Sequence, residues 1–267
     1  MQATQLLTKP VPVGATLIGG KELILMAGPC AVESVAQIQA CASFSKEQHV
    51  QILRGGAFKP RTNPRDFQGL GLQGLTWLIE AARQVQLPVV TELLDVRHLD
   101  TYLEYGVDMI QVGSRNMQNF ELLKALGETR VPVLLKRGMS ATIKEWLLAA
   151  EYIVQGGNEH IILCERGVRT FESSYRNMLD ITAIPYLKQT CPFPVIVDPS
   201  HASGQASLVS PLAKAAIAAG ADGLLIEMHP TPTQALSDAD QALTFTVFKE
   251  LCETLRPVAA AVDRILR

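Results

Sequence analysis

Residues 133–163 read VLLKRGMSATIKEWLLAAEYIVQGGNEHIIL, and this stretch contains one complete unit of the fold. The apolar run at 133–135 has the composition of a buried strand, and a similar run follows at 161–163. Between them, Thr142 and Glu145 match the capping box that begins a helix, and the glycine pair at 156–157 is a typical helix end. The apolar face of this helix consists of Trp146, Leu147, Ala150, Ile153 and Val154. The stretch therefore predicts a strand, a helix and a second strand.

The same alternation continues along the whole chain. Short apolar runs recur roughly 20 to 40 residues apart, which is about the length of one strand-plus-helix unit. They are almost entirely apolar, as is typical of parallel strands that are buried on both faces. The predicted strands are 23–27, 51–53, 88–91, 109–112, 133–135, 161–163, 195–197 and 223–226.

Eight such units predict an α/β protein whose single domain is a (β/α)8 TIM barrel. An open, doubly wound sheet is the alternative, but no GxGxxG segment follows the first strand. Ser34 and Gln37 match a second capping box. Further helices are predicted at 70–85, 95–105, 120–126, 175–187, 211–219 and 242–266. We expect residues 23–267 to form the barrel and residues 1–22 to form an N-terminal arm or hairpin that covers its bottom.

The composition excludes several classes of protein. The 267 residues are 48% hydrophobic, which is enough for one large core, and the net charge of −2 gives no basic footprint for nucleic acid. No apolar run approaches the roughly 20 residues that cross a bilayer, and residues 1–20 do not resemble a signal peptide. The five cysteines show no CxxC or disulfide spacing. We expect a cytoplasmic protein with neither a nucleic-acid partner nor a membrane partner.

Polar groups follow all eight predicted strands. Because a TIM barrel builds its active site from the loops at the carboxyl ends of its strands, these groups should meet at one mouth. In chain order the groups are Gly28-Pro29-Cys30, the segment 54–62, Glu92, Gly113-Ser114-Arg115, Lys136-Arg137, Cys164-Glu165-Arg166, Asp198-Pro199-Ser200-His201 and Glu227-Met228-His229.

Cations dominate this set, and the segment 54–62, RGGAFKPRT, contains three of them. Its glycines allow the backbone to approach a ligand closely, and Pro60 fixes φ beside Arg61. A basic surface turn is the alternative interpretation. The cationic set as a whole is Arg54, Lys59, Arg61, Arg115, Lys136 and Arg166. Such a set suits two phosphates and a carboxylate. We expect Arg65, Arg137 and Arg169 to be peripheral salt-bridge partners, and Glu92 and Glu165 to hold the cations in place.

A second chemistry comes from Cys30, His201, Glu227 and Asp238, the last of which lies in the loop after the eighth strand. Sulfur, nitrogen and oxygen ligands together suit a divalent transition metal, and they do not select among zinc, iron, manganese and cobalt. Each residue also has a structural alternative, such as a buried cysteine, a histidine bonded to a carbonyl, an ion-paired glutamate or a helix-capping aspartate. Their occurrence at one barrel mouth favours a metal site.

With these residues in view, the chain resembles the type I beta group of 3-deoxy-D-arabino-heptulosonate 7-phosphate (DAHP) synthases, in a short form without a regulatory domain. The resemblance extends from about residue 22 to the end. The matching segments are 27–34 (AGPCAVES), 54–62 with 67–71 (FQGLG), 134–140 (LLKRGMS), 163–172 (LCERGVRTFE), 197–204 (VDPSHASG) and 223–230.

The resemblance implies a transferase that condenses phosphoenolpyruvate with erythrose 4-phosphate and water to give DAHP and phosphate, the first step of the shikimate pathway and of aromatic amino acid biosynthesis. It implies one divalent metal ion (manganese, iron, cobalt or zinc) and a homodimer or homotetramer. The implied metal ligands are Cys30, His201, Glu227 and Asp238, and Lys59, Lys136, Cys30 and His201 are the implied catalytic residues. The implied phosphoenolpyruvate residues are Arg54, Lys59, Arg115, Lys136 and Arg166, and the implied erythrose 4-phosphate residues are Arg61 and Thr62. Pro60 and Ser114 complete the implied substrate-binding set.

Two departures from the family pattern are visible. Asn63 replaces a serine after Lys59-Pro-Arg-Thr62, and Ala239-Asp240 replaces Gly-Pro after Asp238. Asp240 is therefore an alternative fourth metal ligand. Related enzymes are often feedback-inhibited through an added domain, for which we see no room here. We therefore expect phenylalanine, tyrosine and tryptophan to leave the rate nearly unchanged.

Three other functions compete with this one. A 3-deoxy-D-manno-octulosonate 8-phosphate synthase, which uses arabinose 5-phosphate, carries Lys-Ala-Asn-Arg-Ser where this chain has Lys59-Pro-Arg-Thr62. A Schiff-base aldolase acting through Lys136 would not explain four metal ligands. A non-catalytic phosphosugar-binding barrel would need the cations, but neither Cys30 nor Glu227.

Overall fold

A computed structural model describes residues 8–267 of the protein. Its strands form a hairpin followed by a closed parallel barrel. The hairpin consists of β1 (Val11–Val13) and β2 (Thr16–Ile18), which pair antiparallel. The barrel strands are β3 (Ile24–Gly28), β4 (Ile52–Arg54), β5 (Val89–Glu92), β6 (Met109–Val112), β7 (Val133–Lys136), β8 (Ile161–Glu165), β9 (Val195–Val197) and β10 (Gly223–Glu227). Each pairs with the next in chain order, and β10 closes the barrel against β3. The predicted TIM barrel is confirmed, and the open sheet is excluded.

The barrel strands extend further toward the mouth than the apolar runs suggested. Five strands end on a charged residue that the hydrophobic pattern left outside. Arg54, Glu92, Lys136 and Glu227 are the last residues of β4, β5, β7 and β10, and Glu165 is the last residue of β8. Because a hydrogen-bonded strand holds its final side chain rigidly, these groups have fixed positions at the mouth.

Nine α-helices cover the barrel within residues 8–267. They are α1 (Val35–Glu47), α2 (Leu72–Val85), α3 (Leu99–Tyr105), α4 (Phe120–Gly127), α5 (Ile143–Gln155), α6 (Ala183–Thr190), α7 (Pro199–Ser203), α8 (Ala206–Ala218) and α9 (Phe245–Ala261). The capping box of Thr142 and Glu145 is confirmed. Ser34 accepts from the Gln37 amide, but the Gln37 side chain accepts from Glu33, so the second box is only half formed. None of these helices is long and apolar enough to cross a membrane.

The helix predicted at 175–187 begins only at Ala183, and this is the largest error in the sequence interpretation. The amide groups of Arg176 and Asn177 donate to the carbonyl oxygens of Ser203 and Ala202 instead of to the preceding turn of a helix. The amide of Met178 donates to Val168. Hydrogen bonds to the end of α7 and to Val168 therefore hold this part of the chain in a non-helical path.

Smaller differences concern helix boundaries and one short helix. The helix predicted from Pro211 begins at Ala206 and contains that proline in its interior. The helix predicted at 242–266 spans Phe245–Ala261. The short helix α7 was not predicted, because five residues are too few to show the helical spacing of apolar side chains that separates a helix from a loop.

The hairpin closes one end of the barrel. Val11, Val13 and Ile18 are buried and pack with the apolar side chains that fill the barrel interior. The backbone amide of Lys9 donates to the Pro192 carbonyl oxygen, just before β9 begins, so the hairpin lies at the amino ends of the strands. The first seven residues of the predicted arm lie outside the described residues. The end that remains open carries the polar strand termini.

Candidate active site

The open end of the barrel contains a cavity of about 340 Å³. All the residues that were expected to bind substrate line it: Arg54, Lys59, Pro60, Arg61, Thr62, Ser114, Arg115, Lys136 and Arg166. Lys and Arg contribute eight of its nineteen lining residues, whereas Asp and Glu contribute three. The cavity therefore has a strongly positive potential that suits anionic ligands.

The cations of the cavity lie at two depths. Lys59 and Lys136 are buried, as are Arg54 and Arg166. Arg115, Arg169 and Arg176 are exposed at the rim, and Arg61 is partly buried between the two levels. An anion held by the deep group would be largely removed from water, and an anion at the rim would remain in contact with it.

Arg166 is a deep cation whose hydrogen-bonding capacity is only partly used. Its side chain is 6% exposed, and its Nη1 has no hydrogen-bond partner among the residues described. Burial lowers the pKa of its guanidinium, although Asp198 partly opposes this shift. Since a buried donor without a partner is destabilising, the geometry around Arg166 suits a bound anion.

The four candidate metal ligands, Cys30, His201, Glu227 and Asp238, come together beside the deep cations. Their ligand atoms all lie within 4.8 Å of one another. Cys30 Sγ is 3.1 Å from Asp238 Oδ2, and His201 Nε2 is 3.3 Å from Glu227 Oε1. Asp240 is exposed and is not part of this group. The structure thus brings together one sulfur, one nitrogen and two carboxylate ligands.

Surrounding groups orient two of these ligands. His201 Nδ1 is 2.7 Å from Asp198 Oδ2, and this contact turns Nε2 toward the other ligands. Burial lowers the pKa of the His201 imidazole, which favours the neutral form that binds metals. One oxygen of Glu227 accepts from Arg54 and the other from Gln241. A ligand set whose outer atoms are held in this way fits a divalent ion.

Cys30 is a thiol in the absence of an ion. Burial, and then the nearby Glu227 carboxylate, raise the pKa of the Cys30 thiol to about 12. The Lys59 ammonium lies 2.9 Å from the sulfur. Burial opposes the charge of Lys59, but nearby negative charge, that of the Glu227 carboxylate included, raises its pKa above the ordinary value, so the lysine stays protonated. Lys59 is therefore a proton donor placed between the ligand set and the cavity.

The supporting charges differ in part from the sequence interpretation. Arg137 is a peripheral salt-bridge residue as expected, because it donates to Glu165 and Asp180 at 2.9 Å each. The expectation for Arg169 was wrong: it lines the cavity and makes no ion pair within the described part of the chain. Glu165 holds Arg137 and not a cavity cation.

Several residues of the site were not identified from the sequence. Met139, Arg176 and Asn177 line the cavity, and Gln241 holds Glu227 from behind. Gln241 belongs to the loop that carries Asp238, so proximity in sequence could have suggested it. Arg176 had no such signal, because it lies in the segment that resembled a helix.

The comparison with known sequences agrees with this geometry. The model of the DAHP synthetase I family matches residues 8–264. The chain is 50% identical over 252 residues to the phospho-2-dehydro-3-deoxyheptonate aldolase of Thermotoga maritima, covering 94% of this chain and 74% of that protein. It is 29% identical over 276 residues to the 2-dehydro-3-deoxyphosphooctonate aldolase of Koribacter versatilis, covering 95% of this chain and 97% of that protein.

Solved structures show the same relationship. The crystal structure of the Thermotoga maritima DAHP synthase superposes with a TM-score of 0.94 at 48% identity, over 97% of this chain and 76% of that chain. A truncated form of the synthase from the same organism gives a TM-score of 0.90 at 45% identity, over 97% of this chain and 95% of that chain. The chain therefore belongs to the DAHP synthetase I family, and the enzyme class that its motifs implied, a 3-deoxy-7-phosphoheptulonate synthase, is confirmed.

Proposed function

We propose that the chain condenses phosphoenolpyruvate with erythrose 4-phosphate in a metal-dependent reaction that gives DAHP and phosphate. One observation carries this proposal. A single cavity combines deep cations, rim cations and a four-residue ligand set for a divalent ion. This arrangement suits two anionic substrates whose reacting atoms meet next to a metal.

Phosphoenolpyruvate fits the deep cations together with Arg115 at the rim. Arg54, Lys59 and Lys136 would surround its carboxylate, since all three are buried and line the cavity. Arg115 and Arg166, together with Lys136, would hold its phosphate. The unpartnered Nη1 of Arg166 supports this assignment, because a phosphate oxygen would satisfy it. Ser114 is next to Arg115 in the chain and also lines the cavity.

Erythrose 4-phosphate fits the outer part of the cavity. Arg61 Nη1 donates to Ser237 Oγ at 2.8 Å, and its Nη2 lies 3.5 Å from Asp66. These contacts direct the guanidinium, while Pro60 restricts the backbone before it. Thr62 adds a hydroxyl at the rim. The sugar phosphate would thus be held at its far end, with the aldehyde directed toward the ligand set.

The reaction then follows from these positions. A divalent ion held by the four ligands would supply Lewis-acid polarisation of the aldehyde oxygen. The enol carbon of phosphoenolpyruvate attacks the aldehyde carbon, and Lys59 is placed to protonate the resulting alkoxide. Water adds to the neighbouring carbon, and phosphate leaves with cleavage of its C–O bond. Lys136 and Arg166 stabilise the departing charge.

The second candidate is octulosonate 8-phosphate synthesis from arabinose 5-phosphate. Several relatives with that name are 27–31% identical to this chain, well below the 50% of the heptonate aldolase. The Lys59-Pro-Arg-Thr62 segment also differs from the pattern expected of that enzyme. Phosphate release from phosphoenolpyruvate should be measured with each aldehyde in Mn²⁺-loaded protein. We expect release with erythrose 4-phosphate; release with arabinose 5-phosphate alone would contradict the proposal.

A further inference from the structure

Arg176 connects the loop after β8 to two of the four metal ligands. Its Nη1 donates to Gln241 Oε1 at 2.6 Å, and its Nη2 lies 3.5 Å from Asp238 Oδ1. Gln241 in turn donates from Nε2 to Glu227 Oε2. One guanidinium therefore contacts one acidic ligand directly and reaches a second through a single amide.

This arrangement determines which way the Gln241 amide points. Gln241 is fully buried, and its oxygen accepts from Arg176. Its nitrogen is consequently the group that faces Glu227, where it donates to the carboxylate. Without Arg176, the amide could turn its oxygen toward Glu227, and two acceptors would then face each other. Arg176 thus controls the donor that orients Glu227.

The backbone of the same segment is fixed to the helix that carries His201. Arg176 N donates to Ser203 O at 3.0 Å, and Asn177 Nδ2 donates to His201 O at 3.3 Å. Gly204 makes room for the arginine, because a Cβ on Gly204 would lie 2.9 Å from Arg176 Nε. The segment therefore contacts the immediate surroundings of three ligands: His201, Glu227 and Asp238.

We infer that Arg176 is a positioning residue that sets the affinity of the ligand set for its ion, with Gln241 as its relay to Glu227. This inference rests on the metal ion of the proposed function. Groups that orient metal ligands from outside typically change metal affinity by about 10- to 100-fold when they are removed. Because Arg176 also lines the substrate cavity, one side chain links the outer wall of that cavity to the ligands.

The test measures Mn²⁺ affinity directly, by competition with a fluorescent chelator, so that it does not depend on turnover. Arg176→Gln and Gln241→Leu should each weaken binding by about 10- to 100-fold. The double variant should lose less than the product of the two effects, because both substitutions interrupt one relay. Arg176→Lys keeps the charge but loses the two guanidinium nitrogens that contact Gln241 and Asp238 together, so it should recover only part of the affinity. Arg169→Gln is the matched control, since it removes an arginine from the same loop and cavity, and it should bind Mn²⁺ as tightly as the unsubstituted chain.

The outcomes separate this inference from the proposed function. If the unsubstituted chain binds Mn²⁺ and Arg176→Gln binds it equally tightly, the inference is overturned while the metal site stands. Full recovery in Arg176→Lys would also overturn the relay, because charge alone would then suffice. If the unsubstituted chain binds no Mn²⁺, the metal dependence of the proposed function is contradicted, and the inference falls with it. Should Arg176→Gln fail to fold, Gln241→Leu provides the test instead, and Mn²⁺ binding as tight as that of the unsubstituted chain would overturn the inference.

Discussion

The Oδ2 atom of Asp198 lies 2.7 Å from Nδ1 of His201, and the Lys136 ammonium donates to that same oxygen. Asp198 is completely buried between them. Although burial opposes its charge, His201 and Lys136 hold the pKa of the Asp198 carboxyl well below its usual range. One carboxylate thus positions both a candidate metal ligand and a cation proposed to bind phosphoenolpyruvate.

Asp198→Asn should therefore impair two functions together. The amide cannot hold His201 and Lys136 as the carboxylate does, so Mn²⁺ affinity should fall by about 10- to 100-fold and the KM for phosphoenolpyruvate should rise. Chelator competition and steady-state kinetics measure the two effects. Asp180→Asn is the control, because Asp180 pairs with Arg137 and does not line the cavity. A variant that lost only one of the two functions would show that Asp198 does not couple them.

Metal binding should strengthen as the pH rises. The pKa of the Cys30 thiol is about 12 in the metal-free chain, so the thiol must release a proton when it binds an ion as thiolate. The pKa of His201 is lowered by burial, so this ligand is already neutral and adds no proton. Mn²⁺ affinity should accordingly increase by about tenfold per pH unit near neutrality.

Cys30→Ala provides the comparison for this pH dependence. Its Mn²⁺ affinity should be lower and nearly independent of pH, while its thermal unfolding should show an intact barrel. Cys252→Ala, which alters a buried cysteine in α9, should keep the pH dependence of the unsubstituted chain. The same slope in Cys30→Ala would mean that another group releases the proton.

Arg61→Ala should act on one substrate selectively. Arg61 lies in the outer part of the cavity, where the aldose phosphate is proposed to bind. The variant loses a charged hydrogen bond to a phosphate dianion, so kcat/KM for erythrose 4-phosphate should fall. The corresponding loss of transition-state stabilisation should be about 2 kcal/mol or more. The KM for phosphoenolpyruvate should change little. Equal changes for the two substrates would place Arg61 between them instead.

Gly28→Ala should destabilise the barrel itself. Gly28 has φ of +152°, and a Cβ there would lie 2.0 Å from the backbone oxygen of Arg54 on the adjacent strand. Since backbone cannot move aside cheaply, we expect a loss of about 2 kcal/mol or more in the free energy of unfolding. Gly157→Ala is the control: its φ of +101° is also unfavourable, but no atom of residues 8–267 lies within 4 Å of the new Cβ. Urea unfolding of both variants measures the difference, and equal losses would show that φ strain alone matters.

The sequence was sufficient to predict the barrel because parallel strands buried on both faces leave continuous apolar runs. It also identified Cys30 and His201, whose chemistry is unusual directly after such strands. It could not place Arg176, since the non-helical path of the chain there is imposed by hydrogen bonds from Arg176 and Asn177 to Ser203 and Ala202, which are distant in sequence. Arg169 and Arg137 show the same limit. Both are arginines in strand-end loops, and only the position of Asp180 reveals which of them is neutralised.

The central claim is that this cavity joins two phosphorylated substrates with the help of a divalent ion. The most direct test incubates chelator-treated protein with phosphoenolpyruvate and erythrose 4-phosphate, with and without added Mn²⁺, and quantifies phosphate and sugar products by mass spectrometry. We predict that a seven-carbon keto acid phosphate and free phosphate appear in equal amounts when Mn²⁺ is present, and that neither appears without it. Phosphate release without the seven-carbon product, or full product formation in the metal-free protein, would contradict the account.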